Sequence, residues 1–301
     1  MTPRRTSMIP ANGGKLVKRI LVAMDFSRHA QRAFEWAGAL ARRFSAELEL
    51  VTSVFVVPFS AVPGGYAAPV SDLYSARAAT ERRLDEVVAE LASAGLRAHY
   101  TVLHEDPSSG LCALALEKGV DLIALGTRGR GGLAHVLLGS VAERVARLAH
   151  CPVLTVHEEV SAPRPLRKLL VPSDFSDPAA GALALARELV EPGGSITVLH
   201  AIQPVLAPGD PSVPLADPQS EAWARAEFEQ LAAGAPGARL EFDLRYSNPD
   251  TGVLDAAAQH AVDAIVMGSR GRSGLAHVLL GSVAERVIRR APVPVFTTKP
   301  R

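Results

Sequence analysis

The chain has 301 residues, enough for two domains of ordinary size, and 48% of them are hydrophobic against 21% charged. A net charge of +1 provides no general attraction for polyanions, so no nucleic-acid partner is expected. Two cysteines exclude a disulfide framework and a metal cluster, and no run of about eighteen apolar residues marks a membrane span.

Residues 1–15, "MTPRRTSMIPANGGK", carry two arginines with no apolar run behind them. They read as a disordered leader, not a secretory signal, and the expected compartment is the cytoplasm. "RILVAM" is a short buried-strand run, and Ser27 is placed to cap a helix reaching Phe44. "ELELVTSVFV" is a second strand. A Pro/Gly-rich loop over 57–70 leads to a helix over 72–94. "RAHYTVL" is the third strand, 107–118 a helix, and "DLIALG" the fourth strand. A glycine-rich loop with two arginines follows, then a helix over 140–149 and a last strand, "PVLTV".

The same succession begins again at residue 166. "LRKLLVPSDFSDPAAGALALARELV" matches residues 17–44, "NPDTGVLDAAAQHAVDAIVMGS" matches 106–127, and "VPVFTT" matches "CPVLTV". The second copy places its loop at 203–216 and the following helix at 217–233. The chain is therefore read as a 1–15 leader, a first domain over 16–157, a linker over 158–165 and a second domain over 166–299. Alternating strands and helices predict an α/β architecture in each: a doubly wound parallel sheet with helices on both faces. The two last strands, 152–156 and 294–298, are apolar and expected at sheet edges. A linker this short lets them pair with each other, making an intrachain pseudo-dimer. A homodimer of the whole chain is left open.

Most of the two copies has drifted, but one stretch has not. "GTRGRGGLAHVLLGSVAERV" (126–145) and "GSRGRSGLAHVLLGSVAERV" (268–287) agree at eighteen of twenty positions. Each opens on a glycine ending an apolar strand and closes on Gly-Ser at the start of a helix. The pattern "S-V-A-E" reads as a capping box, with Ser140 or Ser282 as N-cap and Glu143 or Glu285 in the third helical position. Free N–H groups at a helix start, a glycine loop and an arginine pair suit a phosphate chain. Gly126, Gly129 and Gly139 would let backbone approach phosphate oxygens. In a doubly wound sheet the ligand lies at the carboxyl ends of the strands, where strand order reverses. Asp25 ends the first strand there, as Asp174 does in the second copy. A carboxylate accepts hydrogen bonds from ribose hydroxyls, so the constellation describes a nucleotide.

Gly126-x-x-Gly129, nine residues, Gly139-Ser140, and Gly268-x-x-Gly271, nine residues, Gly281-Ser282, resemble the G-2x-G-9x-G-[S/T] motif of the universal stress protein family. "MDFS", "SDFS" and "P-V-[LF]-T" are similar to that family too. The resemblance implies a five-stranded parallel sheet of order 3-2-1-4-5 in each domain, and ATP, with or without Mg2+, as ligand. For the first site it implies Ala23, Asp25, Ser53, Gly126, Thr127, Arg128, Gly129, Arg130, Gly139, Ser140 and Val141. For the second it implies Pro172, Asp174, Ala201, Gly268, Ser269, Arg270, Gly271, Arg272, Gly281, Ser282 and Val283. Asp25 and Asp174 would touch the nucleoside, and backbone near Ser53 and Ala201 would read adenine. Ala23 departs from the family, where the second copy keeps Pro172. The function so implied is a nucleotide-responsive regulatory protein of stress survival that holds ATP with little turnover.

Other readings compete. "GRGGLA" fits a dinucleotide fingerprint but follows the fourth strand and is broken by Ser273. No G-x-x-x-x-G-K-[ST] loop exists. His135 and His277 read as packed or solvent-edge residues. Cys112 and Cys151 align with Leu254 and Val293 and read as small core hydrophobes. No nucleophile–base pair is apparent, and a nucleotide-using enzyme should show one in at least one copy. The rivals are that enzyme and an interaction scaffold with empty sites.

Overall fold

Strands that are apolar on both faces belong inside a sheet covered by helices on each side, and "ILV" at 20–22 and "LLV" at 169–171 are buried to the last atom or nearly so. The computed structural model describes residues 17–54, 70–129, 138–207, 210–215, 217–233, 238–271 and 280–299. In the first half they form β1 (Arg19–Ala23), α1 (Arg28–Phe44), β2 (Glu47–Ser53), α2 (Val70–Ser93), β3 (Ala98–Leu103), α3 (Pro107–Glu117), β4 (Leu122–Gly126), α4 (Ser140–Leu148) and β5 (Val153–Val156). The second half repeats the plan as β6 (Lys168–Pro172), α5 (Asp177–Leu189), β7 (Ser195–Ile202), α6 (Pro218–Ala233), β10 (Arg239–Tyr246), α7 (Pro249–Gln259), β11 (Ala264–Gly268), α8 (Ser282–Arg290) and β12 (Val295–Thr298). It adds a small antiparallel hairpin, β8 (Val205–Ala207) with β9 (Asp210–Leu215).

That hairpin lies where the sequence predicts an open loop over 203–216. The Pro208-Gly209 dipeptide is a turn former between two short runs carrying valine and leucine, a hairpin signal that the loop reading passed over. The corresponding first-half loop falls mostly on residues 55–69, outside the described residues.

Each half has the strand order 3-2-1-4-5, and the two join into one ten-stranded sheet, β10-β7-β6-β11-β12-β5-β4-β1-β2-β3. Neighbours within a half are parallel. At the junction β12 runs antiparallel to β5, with Phe296 opposite Leu154. Each pairs the edge the other would expose.

Helix α1 shows how local pattern sets the packing. Ser27 is its N-cap, its hydroxyl accepting from Ala30 N at 3.2 Å, and Ser45 ends it in a left-handed conformation, φ 54°. Between them Ala33, Trp36, Ala37, Leu40 and Ala41 recur at helical spacing and are buried. They join a core that runs without a break from Ile20, Leu48 and Leu50 through Leu154 to Leu169, Leu183, Val198 and Phe296. On the opposite face, two further clusters lie under α3 and α4 and under α7 and α8. The segment 158–165 is no free tether. Val160 is buried, Ser161 O accepts from Trp36 Nε1 at 3.1 Å, and Arg164 pairs with Asp263 at 2.7 Å. Arg43, at the end of α1, donates to the last carbonyls of the α5 end, Leu189 O and Val190 O, and pairs with Glu191. Among the described residues no helix is long and apolar enough to cross a membrane.

Candidate functional site

Strands β1 and β4 lie side by side, and the chain leaves them in opposite directions, into α1 on one face and towards α4 on the other. The crevice this opens at their carboxyl ends is the ligand position of a doubly wound sheet. Asp25 stands there, two residues beyond β1. Phe26 behind it has φ 61°, and its counterpart Phe175 has φ 58°. A left-handed phenylalanine costs on the order of 1–3 kcal/mol. Both halves accept that cost at the residue after the aspartate, which turns the chain sharply into the helix. The turn lets Ser27 N donate to Asp25 Oδ1 at 2.9 Å, and Ser176 N to Asp174 Oδ1 at 3.1 Å. Ser176 Oγ also donates to Asp174 Oδ1.

The other carboxylate oxygen faces the glycine loop. A Cβ on Gly129 would lie 2.8 Å from Asp25 Oδ2, and one on Gly271 2.8 Å from Asp174 Oδ2. Gly126 is required by packing: its Cβ would meet the backbone of His29 and Ala30 at 2.6 and 2.8 Å. Gly139 approaches the loop from the far side, donating its N–H to Thr127 O at 2.8 Å, as Gly281 does to Ser269 O at 2.9 Å.

That bond corrects the capping-box expectation. The N-caps of α4 and α8 are Gly139 and Gly281, with no side-chain cap bond, and Ser140 and Ser282 are the first helical residues. Holding the glycine N–H against the loop carbonyl fixes the cap one residue earlier than "S-V-A-E" suggests. Glu143 then lies a turn into the helix, its N–H bonded to Gly139 O at 2.9 Å. The serines are thereby released from capping and stand at the helix entrance beside the cleft.

In the first half the cleft measures about 610 Å³ and is lined by Ala23, Asp25, Ser53, Gly126, Arg128, Gly129, Gly139, Ser140 and Val141 among the expected residues. In the second it measures about 330 Å³, lined by Pro172, Asp174, Ala201, Gly268, Arg270, Gly271, Gly281, Ser282 and Val283. Thr127 and Ser269 do not line them. Their side chains are buried, and Thr127 Oγ1 turns to His157 Nδ1 at 2.9 Å and His29 Nδ1 at 3.3 Å. Arg130, Arg272, His135 and His277 lie outside the described residues.

Sequence reasoning missed the apolar floor: Val51, Leu103, Leu111 and Leu125 in the first cleft, Leu199, Val253 and Met267 in the second. They lie on strands near the ligand end of the sheet or, for Leu111 and Val253, on the second turn of α3 and α7, a signal hidden among ordinary core positions. It also missed His200, which lines the second cleft where the register places Thr52 in the first. His200 Nδ1 lies 2.8 Å from Ser173 O, and its ring packs with Phe175 and Trp223 at 5.1 and 5.7 Å. The arrangement combines a helix N-terminus, loop amides and an arginine for an anion, a carboxylate for hydroxyls and an apolar floor for a flat ring. Among the described residues no three His, Cys, Asp or Glu side chains are grouped to hold a metal ion.

A family model described as "Universal stress protein family" matches the chain twice, over residues 17–157 and 165–299. A universal stress protein of Mycolicibacterium smegmatis is 30% identical over 293 residues, covering 94% of this chain and 97% of the relative. One from Methanocaldococcus jannaschii is 36% identical over 146 residues, 48% of this chain and 85% of its own length. The crystal structure of a universal stress protein from Archaeoglobus fulgidus superposes with a TM-score of 0.73 at 24% identity, over 94% of this chain and 98% of that one, a likeness of fold.

Proposed function

The chain belongs to the universal stress protein family, and on that footing we propose that each half binds one adenine nucleotide, ATP, and holds it with little or no turnover. The protein then acts as a nucleotide-responsive regulator of stress survival. The observation that carries the reading is the approach of Gly129 to Asp25, repeated by Gly271 to Asp174. A carboxylate pinned by Ser27 N–H and a phosphate-type glycine loop thus adjoin in one cleft, beside a space sized for a small ligand. The ribose hydroxyls go to Asp25 Oδ2, the base to the apolar floor beside Ser53, and the phosphates to Arg128, Gly139 and Ser140. Asp25 Oδ1 is already taken by Ser27 N–H. A ribose on Oδ2 leaves this carboxylate no role as a base towards water, which favours holding over hydrolysis.

The second cleft is little more than half the volume of the first and carries an imidazole on its wall. The two sites differ in size and lining, so each affinity is measured separately. Nucleotide extracted from freshly purified protein and identified by mass tests the ligand. Titration calorimetry with ATP tests the count and should resolve two sites per chain. No heat, and no retained nucleotide, would refute the reading. Turnover in the usual enzyme range of about 1–10³ s⁻¹ would overturn the holding function.

A further inference from the structure

Thr127 sits inside the first phosphate loop, yet its side chain, 1% exposed, points away from the cleft into a pair of histidines that the second half lacks. His29 comes from the first turn of α1, and His157 follows β5 at the junction of the halves. In the second half the matching positions are Pro178, Ser269 and Lys299.

The hydrogen-bond partners determine where the protons are. His157 Nε2 lies 2.7 Å from Ile288 O, in the last turn of α8. A carbonyl only accepts, so Nε2 carries a hydrogen, and in the neutral ring Nδ1 is bare. His29 Nδ1 accepts from Glu158 N at 3.1 Å, so it too is bare. Two bare nitrogens therefore face one hydroxyl, Thr127 Oγ1, which has a single hydrogen and donates it over the shorter path to His157. A proton from solvent added at His157 Nδ1 keeps a partner. His157 then donates to Thr127 Oγ1, and the hydroxyl hydrogen turns to His29 Nδ1, sharing that nitrogen's one lone pair with Glu158 N–H at a modest cost in bond strength. A second proton, on His29 Nδ1, would oppose the Glu158 N–H. The cluster holds either no added proton or one.

We infer that His29 and His157 are positioning residues of the first anion site, acting through Thr127, and that this cluster takes up one proton when a polyphosphate binds. The inference rests on the anion-binding reading of the first cleft, and it concerns that cleft alone.

The charges around the pair give the direction. Burial lowers the pKa of both histidines. Glu158 and Asp25 act against this at His29, while the His157 ring adds to it. Glu159 and the carbonyl-bearing end of α8, at Ile288 and Arg289, act against it at His157. Arg128 of the loop depresses both. A polyphosphate on Arg128 offsets that one cation and brings negative charge of its own, so the bound cluster keeps a proton to higher pH than the free one. Binding therefore strengthens as pH falls between the two pKa values, by up to about tenfold for each unit that separates them.

The test is made on the whole chain. Histidine ring resonances are followed by NMR across about pH 5–8, alone, with saturating ATP and with saturating inorganic tripolyphosphate. His157→Gln assigns the signal. A glutamine can donate to Ile288 O and accept from Thr127, but takes no proton. The expected result is a His157 pKa raised by either ligand, and one site per chain whose affinity rises on acidification. His157→Gln still binds but loses that slope. Thr127→Val, which removes the shared hydroxyl and leaves both rings, loses it too and serves if the glutamine variant does not fold. Binding that leaves the His157 pKa unmoved, or a slope that survives in both variants, overturns the inference and leaves the nucleotide reading standing. Tripolyphosphate that binds and shifts His157 where ATP does not bind upholds the inference and refutes the nucleotide reading. Failure of both ligands to bind refutes both.

Discussion

Replacing Gly129 by alanine puts a methyl group 2.8 Å from Asp25 Oδ2, against an ordinary heavy-atom separation of about 3.5–4.0 Å. The side chain that must give way is short, and its other oxygen is held by Ser27 N at 2.9 Å. Moving Oδ2 clear therefore displaces the group proposed to accept from ribose. A hydrogen bond to a charged group contributes about 1.5–3 kcal/mol, so ATP affinity at the first site should fall by roughly 10–100-fold. The methyl faces an open cleft elsewhere, and the melting temperature should stay within about 2 °C, since surface substitutions stay within about ±0.5 kcal/mol. Gly126→Ala is the contrasting control. Its methyl meets the backbone of α1 at 2.6 Å, where no side chain can rotate away, and overpacking of this kind costs typically about 1–3 kcal/mol. Calorimetric titration and a thermal melt on each variant separate the two effects. Unchanged ATP affinity in Gly129→Ala would falsify the placement of the sugar at Asp25. A fully stable Gly126→Ala would undo the packing argument for that glycine.

Lys118→Ala should destabilise the first half by about 1–3 kcal/mol: Glu49, only 4% exposed, loses the ammonium 2.7 Å from its carboxylate and, among the described residues, keeps Thr101. Denaturant titration reads the loss, and a change below about 1 kcal/mol would mean that water replaces the lysine. Stability should fall as pH drops below about 6.5, the ordinary histidine value. His29 and His157 have lowered pKa values in the fold, so the unfolded chain binds protons first. Their contribution is fully present above that pH and is lost towards the folded-state values, and melts of His157→Gln should show a shallower decline. Burial pushes the Cys151 thiol up to about 12 and raises that of Cys112. Alkylation at neutral pH should be slow in the native protein and rapid once it is unfolded, and rapid native labelling would contradict their packing.

Most of the architecture was legible because burial writes itself into local pattern. Ile20, Leu21 and Val22 had to be a strand covered on both faces, and the stripe from Ala33 to Ala41 had to be one helical face. The repeat showed which stretch mattered, since 126–145, with Gly126, Gly129 and Gly139, persists where most of the two copies has drifted. The capping box misled because Ser and Glu at that spacing suit either register. Gly139 took the cap through a bond to Thr127 O, a partner twelve residues back whose position depends on the loop between them.

The sequence by itself determined the duplication, the alternation of strand and helix, the 3-2-1-4-5 order through its family likeness, and the glycine loop repeated in each half. Only the tertiary structure decided the continuous core shared across β5 and β12, the unequal volumes of the two clefts and the direction of the Thr127 side chain. It alone brought His29 and His157, 98 and 30 positions from Thr127, onto one hydroxyl. Periodicity records which face of its own element a residue occupies, because burial acts on each residue where it stands. Which side chains meet depends on how separate elements pack, and the repeat could not reveal it here, because the second half replaces both histidines.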